Sequence, residues 1–315
     1  KYKIPVAYTY HTRYEEYLHH FKLYEAMASG EYPVSRIARY GKEILVPALI
    51  TAFSNQCDLV FAPTSTMKDH LLEQGTKTRI SVLPTGLDRV SFQYDEMLSS
   101  EIRNMYGNGC PYLFATTARL EKEKNLDFLF RGTARLRDIL GQDFRLMVIG
   151  DGTERRHLEE LARMLGISRQ IVFTGKIENT RVRHYLNAAD AFLFASKSET
   201  QGIVLLEAMA AGCPVAAVRA SGVVDVVRQG INGYMTEEAP EAFAAAAARL
   251  VLERGVWSGM SEEARKTAEL YESGRIAALA AEQYGLMTGQ KEDAGYEEHG
   301  KGMLVPSILR LFKAA

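Results

Sequence analysis

Eight short runs rich in β-branched and aromatic residues punctuate this chain, and they constrain its fold more than any other feature. They are "IPVAYTY" (4–10), "CDLVFAPT" (57–64), "RISVLP" (79–84), "YLFATTA" (112–118), "FRLMVIG" (144–150), "QIVFTG" (170–175), "AFLFAS" (191–196) and "PVAAV" (214–218). Most are apolar throughout, the pattern of parallel strands covered on both faces. Between them lie longer stretches such as "NLDFLFRGTARLRDIL" (125–140) and "TERRHLEELARMLG" (153–166), in which apolar residues return at three and four positions as on one face of a helix. Strands alternating with amphipathic helices build α/β folds with parallel sheets.

The 315 residues suffice for two domains of ordinary size. The join is expected between residues 86 and 108, where Pro-Thr-Gly closes a strand run and a polar connection containing glycine follows. That division gives a first domain over 1–107 and a second over 108–288. Residues 289–315 are then a polar linker ending in "MLVPSILRLFKAA", with the pattern of an amphipathic tail. Lys plus Arg number 38 against 39 Asp plus Glu, so no global field draws the chain to nucleic acid or to a membrane, and any such attraction is local. No run of eighteen uncharged apolar residues occurs and the first residues do not form a signal peptide, which suggests a cytoplasmic chain. Cys57, Cys110 and Cys213 are scattered and read as small core residues, with neither a disulfide framework nor a zinc site.

In open parallel sheets ligands bind at the carboxyl ends of strands, so the turns after the runs hold the candidate site. Gly150 and Gly152 follow one strand, as ligand-approach glycines or simply as the glycines a tight turn needs. Arg119 and Lys124 bracket another strand-to-helix loop, where they either meet an anion or form a solvated cluster with Glu121, Lys122 and Glu123. In "SETQGIVLLEAMAAGCP" (198–214), Thr200 is placed to cap a helix and Gly202 to let a ligand approach the backbone, at a helix N-terminus suited to anions. Glu207 is a lone carboxylate in the otherwise apolar run Ile203–Ala211. Unpaired burial of such a charge costs several kcal/mol, so it pairs with an interior arginine or a backbone N–H, or it serves a ligand diol. His11 ends the first strand run, where a side chain can reach a ligand; His19 and His20 have weaker claims.

Glu199 and Glu207 form an E-x7-E pair, and with "ARLEKEKN", "VIGDG", "IVFTG" and "LLEAMAAGCPV" the chain resembles the retaining, nucleotide-sugar-dependent glycosyltransferases of family four. The resemblance covers roughly residues 1–285 and implies the GT-B architecture, two Rossmann-like parallel-sheet domains facing a cleft. It implies that Glu207 binds the nucleotide ribose, that Glu199 contacts the donor sugar, and that Arg119 and Lys124 hold the diphosphate. Backbone N–H groups around Gln201 and Gly202, flanked by Thr200 and Ile203, complete the phosphate and sugar site, and His11 lies beside the reaction centre. No metal and no cofactor are implied. The family has about a hundred further residues before the strand that opens this chain, so the first domain is expected to be incomplete, with an exposed sheet edge.

"TYHTRYEEYLHH", "SRIARYGKEILVPALITAFSNQCDLVFAPTS" and "VLPTGLD" look like bacterial enzymes that move glucose from UDP-glucose to diacylglycerol. The stretch over residues 21–42 mixes Phe21, Leu23, Tyr24 and Tyr40 with Lys22, Arg36, Arg39 and Lys42, which suits either a helix pair packed on the sheet or an anionic membrane surface. The tail carrying Arg310 and Lys313 is a second anchor in the latter case. The competing readings are transfer to a water-soluble sugar or cell-wall acceptor, a nucleotide-sugar epimerase, and a non-catalytic UDP-binding fragment.

Overall fold

The structure, a computed structural model, describes residues 4–14, 39 and 41–289. Each of the eight runs contains a strand, and every strand pair is parallel. The chain forms two compact units that divide after Pro84 and again after Arg275.

In the first unit β1 (Ala7–Thr9), β2 (Leu59–Ala62) and β3 (Ile80–Val82) pair in the order β1-β2-β3. Helix α1 (Val46–Ser54) follows a π-helical turn at Gly41–Leu45, and α2 (Ser65–Glu73) starts where Thr64 Oγ1 accepts the Met67 N–H at 3.2 Å. Tyr10, Val60, Ala62, Met67 and Leu71 form the core on one side of this sheet. His19, His20, Lys22, Arg36 and the tail after residue 289 lie outside the described residues.

The second unit holds six strands: β4 (Tyr112–Thr117), β5 (Phe144–Ile149), β6 (Ile171–Gly175), β7 (Ala191–Phe194), β8 (Val215–Val218) and β9 (Gly233–Thr236). Their order is β6-β5-β4-β7-β8-β9. The sequence reading missed β9, because "GYMT" opens on glycine and has no apolar run to mark it. That glycine is needed, since a Cβ at Gly233 would fall 2.3 Å from the Val215 carbonyl oxygen of the neighbouring strand. The helices are α3 (Glu96–Gly107), α4 (Leu126–Leu140), α5 (Arg155–Met164), α6 (Asn179–Asn187), α7 (Ile203–Ala210), α8 (Pro240–Leu252), α9 (Arg254–Glu269) and α10 (Ser273–Thr288).

One core layer takes Leu129, Leu158 and Phe243 from α4, α5 and α8; the other takes Ile102, Leu186, Leu205 and Ala264 from α3, α6, α7 and α9. Ile102 shares that second layer with Leu113 of β4, so α3 packs with the second unit. From Ile276 onward α10 belongs to the first unit, where Tyr284 meets Phe61 edge-on at 5.4 Å and Gln283 Oε1 accepts from Arg79 at 2.8 Å.

Helix α4 approaches α8 closely at Gly132, where an added Cβ would lie 2.7 Å from Phe243 Cδ1. Phe243 is buried and packs edge-on against Phe128 at 5.5 Å, so its ring has nowhere to move. Alanine gains about 1 kcal/mol over glycine inside a helix, whereas overpacking a filled core costs about 1–3 kcal/mol. Gly132→Ala is therefore expected to lower the thermal unfolding midpoint, measured by circular dichroism, despite its better helix propensity.

Candidate functional site

The strand order of the second unit reverses between β4 and β7, because β5 and β6 extend the sheet to one side of β4 while β7, β8 and β9 extend it to the other. Loops leaving β4 and β7 diverge at that point, and a crevice opens at the carboxyl ends of the strands. It has a volume of about 470 Å³ and is lined by Thr117, Arg119, Lys124, Gly150, Ser196 and Glu199, among others.

After β4 the chain turns through a 3-10 turn at Lys122–Lys124 and reaches Asn125, whose φ of 54° is left-handed. Its side chain donates to the Ala195 carbonyl at 3.2 Å and to Glu238 Oε1 at 2.7 Å, tying this loop to the end of β7. Lys124 Nζ donates to Glu199 Oε1 at 2.7 Å, and Ser196 Oγ reaches the same oxygen at 3.3 Å. Arg119 is 62% exposed at its side chain and stands 3.6 Å from Glu123. Glu121 accepts from Thr153 Oγ1 at 2.7 Å and from Thr153 N–H at 3.2 Å. The acidic residues of this loop thus have structural partners, and both cations line the crevice.

Gly150 and Gly152 answer to packing first. A Cβ at Gly150 would lie 2.0 Å from the Ala118 carbonyl oxygen, and one at Gly152 2.5 Å from that of Leu120. Gly150 also borders the crevice; Gly152 does not.

Helix α7 begins differently from the sequence expectation. Its cap residue is Gly202, at φ 70° and ψ 45°, and no side chain caps it; Thr200 is not the cap. Among the described residues no capping side chain accepts from the first N–H groups of the helix, a position that favours an anion. The Gln201 side chain is turned away to the backbone of Thr85, with bonds of 2.7 and 2.9 Å. Thr200, Gln201, Gly202 and Ile203 do not line the crevice.

Glu207 lies one turn inside α7, in a small recess lined by Ser91, Thr180 and Arg183, which shares Asn179 and Val182 with the crevice. Among the described residues nothing forms a hydrogen bond or ion pair with its carboxylate. Burial alone pushes its pKa from 4.5 to about 7. The expected alternative, an interior arginine or a backbone N–H as partner, is not met among the described residues. Lys176 and Asn179, after β6, also line the crevice and were missed, although the strand-end rule that singled out Arg119 applies equally to "TGK".

His11 belongs to the first unit, two residues beyond β1, and desolvation of its ring lowers its pKa from the ordinary histidine value. Among the described residues no group of three or more His, Cys, Asp or Glu is arranged to hold a metal ion, and no helix is long and apolar enough to cross a membrane.

Residues 101–268 match the family profile described as glycosyl transferases group 1, and residues 1–90 match that of glycosyltransferase family 4. The alpha-monoglucosyldiacylglycerol synthase of Streptococcus pneumoniae is 33% identical over 222 residues, which are 68% of this chain and 46% of that protein. The enzyme of the same name from Acholeplasma laidlawii is 26% identical over 74% of this chain and 57% of its own length. The chain thus spans about half the length of these curated relatives. Among solved structures, HepE of Anabaena in complex with UDP and glucose superposes with a TM-score of 0.70 at 20% identity, over 76% of this chain and 66% of that one. The complex of the same protein with UDP-glucose gives 0.72 at 20% identity, over 90% and 72%. These likenesses bear out the α/β fold of the GT-B type.

The unpartnered Glu207 gives a stability test that needs no ligand. Its folded pKa of about 7 stands above the 4.5 of the ordinary group, so the folded state binds the proton more tightly. Stability therefore rises as pH falls from 7 toward 4.5, and this contribution is lost as pH rises through 7. At pH above 7 the ionised carboxylate destabilises the fold by up to about 3 kcal/mol. Glu207→Gln is expected to unfold at higher denaturant than wild type at slightly alkaline pH, and to flatten that pH dependence.

Proposed function

The chain belongs to the glycosyl transferases group 1 family, and from that membership we propose that it binds a UDP-sugar in the crevice and transfers the hexose to a hydroxyl acceptor with retention of anomeric configuration. The observation that carries the reading is the Glu207 carboxylate, desolvated and without a donor among the described residues, in a recess that adjoins a cation-lined crevice. A vicinal diol such as ribose supplies the two O–H donors this group lacks. Binding then relieves the cost of its burial.

In this reading Arg119 and Lys124, which line the crevice, neutralise the diphosphate as UDP departs, and no metal is required. An ammonium has three N–H donors, and the bond to Glu199 uses one of them. Lys124 can therefore meet a phosphate oxygen while still neutralising Glu199, which supports a role for that carboxylate in positioning the sugar rather than as a covalent nucleophile. Gly150 gives the donor access to the backbone, and His11 serves the reaction centre. Glucose as the sugar and diacylglycerol as the acceptor are supported by the names of these two relatives.

A lipid acceptor requires work at a membrane surface. Ile44, Leu45, Leu49 and Phe53 on and before α1 are exposed, next to Arg39 and Lys42, and continue the aromatic and basic stretch into the described residues. We propose a peripheral, cytoplasmic-face association through this part of the first unit.

Incubating the protein with UDP- and GDP-sugars and mixed micelles of diacylglycerol, then weighing the products by mass spectrometry, tests the reading. Hexosyl-diacylglycerol from UDP-glucose is expected. His11→Ala should abolish it while UDP binding persists. A product formed only with soluble sugars moves the acceptor class, and UDP-sugar conversion without any acceptor points to an epimerase. By titration calorimetry, Arg119→Ala or Lys124→Ala should weaken UDP by roughly 1.5–3 kcal/mol, the range of a hydrogen bond to a charged group, and leave uridine nearly unchanged. Equal losses for both ligands would remove these residues from the diphosphate.

A further inference from the structure

Gln201 is buried, and both ends of its amide go to a single residue. Oε1 accepts the Thr85 N–H at 2.7 Å, and Nε2 donates to the Thr85 carbonyl at 2.9 Å. A primary amide has both a donor and an acceptor, so it matches a backbone N–H and C=O pair completely. Thr85 lies 116 residues earlier and is the first residue of the second unit.

The segment it anchors to is itself fastened. Leu87 N–H donates to the Tyr271 carbonyl at 2.7 Å, and Ser273 N–H donates to the Leu87 carbonyl at 2.9 Å. Gly86 sits so close to Ser273 that a Cβ would fall 2.7 Å from its Cα. The loop is also backed by Gly222, where a Cβ would lie 2.8 Å from the Glu199 carbonyl oxygen and 3.1 Å from the Gln201 nitrogen. The backbone that follows Glu199 therefore rests on Gly222 and, through the Gln201 side chain, on Thr85.

We propose that Gln201 is a positioning residue: by pairing with Thr85 it sets the loop that aims Glu199, and so tunes the site for the sugar portion of the donor without its side chain touching the donor. This rests on the reading of the crevice as a UDP-sugar site. The other groups assigned to the nucleotide do not depend on Gln201. Glu207 is carried by the body of α7, and Arg119 and Lys124 by the loop after β4.

Two substitutions separate positioning from plain stability. Gln201→Leu keeps the bulk and leaves the Thr85 N–H and C=O without partners. Gln201→Glu can accept from the N–H but, when ionised, sets a charge against the Thr85 carbonyl. Protonated, it both accepts and donates, and reproduces the amide. Affinities for UDP and UDP-glucose are measured by titration calorimetry for each protein. For Gln201→Leu, UDP should stay within about 3-fold of wild type while UDP-glucose weakens about 10-fold or more, the equivalent of one hydrogen bond. For Gln201→Glu, the UDP-glucose deficit relative to wild type at the same pH should shrink as pH is lowered from about 8 to about 5.5, as its buried carboxyl takes up a proton.

Unchanged UDP-glucose affinity in the leucine variant overturns the proposal. So does a loss of equal factor for both ligands, which is what general destabilisation produces, and so does a deficit in the glutamate variant that ignores pH. If wild type binds neither ligand, the donor-site reading fails on its own, and amide hydrogen exchange reads the hold of Gln201 directly. Residues 196–202 should then exchange faster in Gln201→Leu than in wild type, and equal exchange overturns the hold itself.

Discussion

The crevice depends on one topological constraint, the reversal of strand order between β4 and β7. A parallel strand cannot return to its neighbour by a tight turn and needs a crossover, here a helix. Strands added after β4 go one way and those from β7 onward go the other. Neighbouring crossovers elsewhere in the sheet pack side by side, but at the reversal they lie on opposite faces, and the loops that start them part. Arg119 and Lys124 come from one of these loops and Glu199 from the other.

Charge is placed in this gap at a cost to the unliganded fold. Lys124 and Glu199 neutralise one another at 2.7 Å with both side chains largely covered. Glu207, deeper in α7, has no such partner among the described residues and is held near neutrality by desolvation. A helix made of Leu205, Leu206, Ala208 and Met209 around it would be more stable with an apolar residue in its place. Such a defect persists where a ligand compensates it, and strong desolvation beside a cleft is a general mark of functional carboxylates.

The loops are held by polar bonds as well as by packing. Asn125 ties the loop after β4 to Ala195 and Glu238, and Glu238 also receives Lys197 Nζ at 2.6 Å. Gln201 ties the loop after β7 to Thr85. Both are amide side chains that satisfy backbone groups far away in sequence. This adds directional restraint to loops that also contribute buried residues such as Leu120 and Ala195 to the core.

The sequence by itself determined β1 to β8, their parallel arrangement and four of the residues that gather in the crevice, Arg119, Lys124, Gly150 and Glu199. An apolar run buried on both faces carries its own signal, and the residue after such a run falls at the ligand-binding end of the sheet wherever the strand sits; Arg119, Gly150 and Glu199 were legible for that reason. Lys176 obeyed the same rule and was overlooked, while β9, four residues opening on glycine, left no run to read. Three features were decided only by the tertiary structure. Glu207 has no partner among the described residues, Gln201 bonds to Thr85 rather than facing the crevice, and Gly202 takes the cap position that local spacing assigned to Thr200. The first two turn on which polar groups meet, or fail to meet, across long separations in the chain. A pattern of hydrophobicity reports whether a residue is buried, but what a buried polar atom touches is set by the packing of elements that are distant in sequence.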